Sequence, residues 1–183
     1  MMVAHGFDGD RLDDLRGKTL ATYPRVPLME KLFLTQVLAQ RNQTPRDFFG
    51  EIKECKNVRD AIVAVNRRKA DCVLVNAIAY SRQVANQPGI TLRPLVTSGA
   101  FAAPVIVGRP STIDSLRAGL WHRIQEETLR LHRTPEGKQC MHFWRLSRFG
   151  KPNRAFDSLV QKNAAEYPIN VLLRLHDEPD VLK

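Results

Sequence analysis

Between Asn57 and Tyr80 the chain reads NVRDAIVAVNRRKADCVLVNAIAY, and the period of its apolar residues changes abruptly inside that stretch. Val58, Ala61, Ile62 and Val65 recur at i, i+3, i+4 and i+7, which predicts a helix with one apolar face and a polar face carrying Arg59, Asp60, Arg67 and Arg68. After Lys69-Ala70-Asp71 the pattern becomes a continuous run, Cys72-Val73-Leu74-Val75, short and rich in β-branched residues. Such a run predicts a strand covered on both faces, as in a parallel sheet. Asn76 then stands at the carboxyl end of the strand, where open α/β sheets place their ligands.

The flanking sequence extends the same alternation. Residues 1–11 lack periodicity and contain two glycines, so a disordered start is expected. Arg11–Arg16 reads as a single turn, and Lys18–Tyr23 as a first strand. Pro27 fits the first turn of a helix whose stripe is Leu28, Leu32, Phe33, Val37 and Leu38. Phe48-Phe49 anchors a turn before a short strand at Glu51–Cys55, and Ala77–Asn86 is a further helix. Thr91–Val96 is a strand whose Pro94 predicts an edge or irregular position. Val105–Gly108 reads as another short strand. A long helix with Ser111 or Thr112 as N-cap then runs to about His132, one restarts at Thr134-Pro135, and the last spans Asn153–Ala165. The apolar burst Ile169–Leu175 fits an added strand, a short helix or a docking segment.

Several chemistries find no support. In Gly17-Lys18-Thr19 the strand follows the glycine, and Leu12 occupies the position where a phosphate loop needs another glycine. No GxSxG, HExxH or GxGxxG occurs, and Ser98 lacks the glycine spacing of a nucleophile elbow. His5, His122, His132, His142 and His176 are scattered, and Cys140 and His142 have no second pair to complete a metal site. No catalytic residue, metal site or cofactor is therefore expected. Cys55, Cys72 and Cys140 have no CxxC spacing and are expected to be buried thiols rather than a disulfide framework. No run of about 18 apolar residues marks a membrane span.

The net charge of +9 favours an anionic partner, and much of it lies in Arg117–Arg154, where nine Lys or Arg face three acids. With Phe143, Trp144 and Phe149 among Arg145 and Arg148, that stretch keeps open a nucleic-acid or protein interaction module. The competing reading is a helix with core aromatics and solvated arginines. An enzyme of unknown class is the remaining alternative.

Alternating strands and helices followed by a helical end predict an α/β domain, with a mainly parallel sheet, helices on both faces and a helical C-terminal extension. The boundaries read as 1–11 for the start, 12–108 for the α/β lobe and 109–183 for the helical segment. Asp14-Leu15-Arg16-Gly17-Lys18-Thr19-Leu20-Ala21 resembles the opening of the second lobe in substrate-binding proteins of phosphate/phosphonate-type ABC transporters. Val58–Val73, Thr97-Ser98 with Pro104–Val107, and Leu116-Arg117 with Thr134-Pro135-Glu136-Gly137 are similar to later segments of that family, in the same order. The resemblance covers roughly residues 12–145 and implies a periplasmic-binding-protein-like lobe without enzymatic activity. It departs in two places. The family's first lobe is largely absent, and the site where the family carries a hydroxyl cluster reads Tyr23-Pro24-Arg25-Val26-Pro27-Leu28.

Loop position after the strands then gives the expected ligand contacts as Tyr23, Arg25, Asn76, Tyr80, Thr97, Ser98 and Phe101, around a small polar or anionic ligand. The short first lobe leaves open a fragment of a larger protein, a homodimer that covers the cleft, or a lost transport role. The start, MMVAHGFDGDRLDD, lacks the pattern of a signal peptide, so a periplasmic location is expected if the chain is part of an exported protein and a cytoplasmic one otherwise.

Overall fold

Leu20 and Ala21 are adjacent in the chain and both fully buried, yet they belong to two separate apolar cores. Successive side chains of a strand point to opposite faces, so this arrangement requires a sheet covered on both sides. The computed structural model describes residues 2–4, 7–102, 105–106, 109–116, 119–143 and 146–168. Among them β1 (Met2–Ala4), β2 (Thr19–Thr22), β3 (Glu51–Glu54), β4 (Cys72–Leu74) and β5 (Arg93–Val96) form one sheet in the order β3-β2-β4-β1-β5. Strand β2 is parallel to β3 and β4, whereas β1 is antiparallel to β4 and β5.

On one face, Phe33, Leu34 and Leu38 of α1 (Leu28–Ala39) and Phe48 of α2 (Pro45–Phe48) pack with Leu20, Cys72 and Leu74. On the other, Ala61, Ile62 and Val65 of α3 (Val58–Asn66) and Ala79 of α4 (Ala77–Asn86) pack with Ala21, Val73 and Val75. The fold is thus α/β with helices on both faces, as the alternation predicts. Backbone bonds extend the parallel ladder past its formal ends, Asp71 N–H to Thr19 O at 3.0 Å and Cys55 N–H to Thr22 O at 2.8 Å. Strand β5 is an edge strand, the place where Pro94 can sit without breaking a central ladder.

Gly17 shows why the GKT triplet is structural. Its φ is +71°, and its carbonyl oxygen would lie 2.4 Å from a Cβ built on Gly50. Two backbones cross here, and Gly17 N–H donates to Phe48 O at 2.8 Å.

The structure corrects several expectations. Residues 2–4 are not a disordered start: they form β1, seated between β4 and β5. A strand of three residues shows no period of its own, and only its partners, Cys72–Leu74 and Arg93–Val96, define it. The α1 stripe holds at Leu32, Phe33, Val37 and Leu38, but Leu28 is exposed and Glu30 and Leu34 are buried as well. Instead of one long helix there are α5 (Pro110–Ser115), which ends as Leu116 turns extended, and α6 (Leu120–Arg130), which Gly119 caps at φ +78°. Arg109, rather than Ser111 or Thr112, is the N-cap of α5. Val105 and Ile106 are not in a strand. Residues 107–108 and the burst Ile169–Leu175 lie outside the described residues.

Two compact units result, one of Met1–Phe101 with Lys162–Lys183 and one of Ala102–Gln161. The first contains the sheet. The second contains α5, α6, α7 (Pro135–Phe143) and the start of α8 (Arg154–Glu166). Met141 is its buried apolar side chain among the described residues.

Ile62 is fully buried against the sheet, so Ile62→Ala is expected to cost about 2–5 kcal/mol in urea unfolding. The thiols, expected to be buried alike, differ: Cys72 is buried, Cys55 half-buried and Cys140 exposed. Burial pushes the Cys72 thiol well above its ordinary range. An aromatic disulfide reagent is therefore expected to titrate Cys140 fast, Cys55 slowly, and Cys72 only after unfolding.

Candidate functional site

Each of the parallel strands β2, β3 and β4 runs at its carboxyl end into the amino end of a helix, α1, α3 and α4 respectively. Met2 pairs with both Leu74 and Val96, so the carboxyl end of β5 reaches the same edge. One edge of the sheet thereby collects Tyr23 to Arg25, Cys55 to Asn57, Val75-Asn76 and Thr97-Ser98. It also collects the N–H groups that open three helices, where a helix favours negative charge.

Asn57 and Asn76 cap their helices through their side-chain oxygens, accepting from Asp60 N–H at 2.9 Å and Ala79 N–H at 2.8 Å. At the centre of the edge lies a group that loop position does not reveal, the carboxylate of Glu30 in the first turn of α1, only 5% exposed. Its Oε1 accepts from the Asn76 backbone N–H at 3.0 Å and from Asn76 Nδ2 at 2.6 Å. Its Oε2 accepts from the Tyr23 hydroxyl at 2.6 Å. Glu30 makes no ion pair among the described residues. At the end of β2 the Thr22 hydroxyl is buried without a hydrogen-bond partner among the described residues. Strand alternation puts Thr22 on the face shared by Leu20 and α1.

The residues expected from the sequence meet different fates. Tyr23 and Asn76 are brought together, through Glu30. Arg25 is exposed in the β2–α1 loop with φ +59°, an uncommon conformation for a residue with a Cβ. Thr97 is exposed and Ser98 half-buried. Tyr80 points its hydroxyl at Leu92 O, 2.5 Å away, and burial raises its pKa, so it ties α4 to the approach of β5. Phe101 packs on Tyr167 with ring centroids 4.9 Å apart, and burial together with Glu166 pushes the Tyr167 hydroxyl up to about 12.

Sequence reasoning missed Glu30, although a signal was present. Glu30, Leu34 and Leu38 are spaced i, i+4 and i+8, so the carboxylate heads the buried stripe of α1. No group of three His, Cys, Asp or Glu suited to a metal occurs among the described residues. His122 and Glu126 form an exposed pair at 3.3 Å. In the basic stretch, Phe143 is 77% exposed rather than core, and Trp144 and Arg145 lie outside the described residues.

The chain matches known proteins at the level of family and fold. A family model described as ABC transporter, phosphonate, periplasmic substrate-binding protein matches residues 1–155. A Xanthomonas citri protein solved bound to ATP aligns with a TM-score of 0.62 at 14% identity, covering 93% of this chain and 65% of that one. A binding protein component of an ABC phosphonate transporter from Pseudomonas aeruginosa aligns with a TM-score of 0.53 at 17% identity, covering 100% and 65%. The chain thus spans just under two thirds of the length of these structures. No curated protein matches it.

Tyr23→Phe leaves Glu30 Oε2 without its 2.6 Å donor in a buried setting and is expected to cost about 1–3 kcal/mol in chemical denaturation. A loss within error of zero would show that the bond adds nothing to the folded state.

Proposed function

Since the chain belongs to the family of periplasmic substrate-binding proteins of phosphonate ABC transporters, we propose that it is a non-enzymatic lobe that holds a small polar solute at the carboxyl edge of its parallel strands. The observation that carries this reading is the convergence of three strand ends and three helix N-termini on one edge. A helix N-terminus offers N–H donors that are already oriented, and a sheet edge offers a shallow concave floor. Neither requires bond-making chemistry.

Arg25, Thr97 and Ser98 are the direct contacts in this proposal. None of their side chains makes a hydrogen bond or ion pair among the described residues, and their loops leave the same edge. Tyr23 and Asn76 act one step back, by holding Glu30. A small anionic solute remains within the class, with Arg25 as its charge partner. The opposite wall of the cleft would come from a first lobe or from a second copy of the chain. A periplasmic location follows if the protein is exported.

Thermal melting with a panel of phosphate, methylphosphonate, aminoalkylphosphonates, sulfonates and free amino acids tests the reading. At least one class is expected to raise the melting temperature in a saturable way, and Arg25→Ala and Thr97→Ala to weaken that solute by about tenfold, the scale of one or two lost hydrogen bonds. A panel without effect, or variants that bind as well as the parent, would overturn it.

A further inference from the structure

The three donors that gather at the edge, Asn76 N–H, Asn76 Nδ2 and the Tyr23 hydroxyl, are the kind of set that grips an oxyanion, and Glu30 already uses all of them. We propose that Glu30 is a built-in substitute for an anionic ligand, and that it sets specificity: the solute presents an uncharged or cationic group to β2 and β4, and free oxyanions are kept from that place. The inference rests on the solute-binding reading and narrows its ligand class.

Three features support it. Glu30 is 5% exposed and has no cationic partner among the described residues, although a glutamine or methionine would fill similar space without burying a charge. Two of its donors belong to the N-cap residue of α4, so the carboxylate occupies the point where the dipole of that helix attracts a negative group. A second anion brought against this buried charge is repelled through a medium that screens far less than water. Arg25 and Lys56, on neighbouring loops of the same edge, are exposed and form no ion pair with Glu30. Their attraction is screened by solvent and acts on the solute from the loop side.

Glu30→Ala tests the donor set directly, because it leaves the Asn76 amides and the Tyr23 hydroxyl without their acceptor. The variant is expected to melt below the wild type and to regain stability with formate in a saturable way. The neutral analogue formamide is expected to do nothing, and formate is expected to leave the wild type unchanged. Absence of rescue by formate, or an equal rise in the wild type, overturns the proposal. Should Glu30→Ala fail to fold, Glu30→Gln keeps the volume and removes the charge. Methylphosphonate is then expected to bind that variant at least about tenfold better than the wild type, and equal binding to both overturns the proposal. Formate rescue alongside a wild type that binds no solute would keep the donor set and remove the solute-binding reading. A solute bound by the wild type with no rescue in the variant would do the reverse.

Discussion

The hydrogen bonds of Glu30 join elements that the sheet alone would leave separate. The side chain leaves α1, meets the end of β2 through Tyr23, and meets the junction of β4 and α4 through Asn76. Because α1 covers one face of the sheet and α4 the other, the carboxylate works as a tie across the sheet's edge. An apolar contact could hold α1 down, but it would not fix the direction in which the Asn76 amide points. A carboxylate that accepts from both nitrogens of one residue fixes that direction. The geometry of the edge therefore depends on a polar group in a place where burial works against it.

The layered core was legible because its signals are local and repeated. Val58, Ala61, Ile62 and Val65 mark the buried face of α3, and Cys72–Val75 gives β4 and the residue after it. Pro94 correctly implied an edge strand. Strand β1 was not legible, since three residues carry no period and their place depends on pairing with partners about seventy to ninety positions away. The break between α5 and α6, where Leu116 turns extended and Gly119 takes a positive φ, is concealed by a stripe running from Ile113 to Leu131.

The edge was legible as a position but not as a set of contacts. Loop order alone brought Tyr23 and Asn76 to one place, and that much follows from strands running parallel. What these side chains do there depends on Glu30, a charged residue that composition assigns to the surface by default. Tyr80 shows the same limit. Its place in the first turn of α4 follows strand β4, while its hydroxyl is spent on the Leu92 carbonyl at the amino end of β5.

The position of β1 also bears on how the fold is reached. Strands β2, β3 and β4 can pair as soon as residues 19–74 are available, each joined to the next through a helix that packs on the pair. Among the described residues strand β5 pairs with β1 alone, and β1 links it to β4. Closing these loops costs chain entropy before any pairing offsets it, so the β1–β5 half of the sheet is expected to form late. Loss of residues 2–4 would free the flanks of β4 and β5, which β1 now covers, for pairing with another molecule.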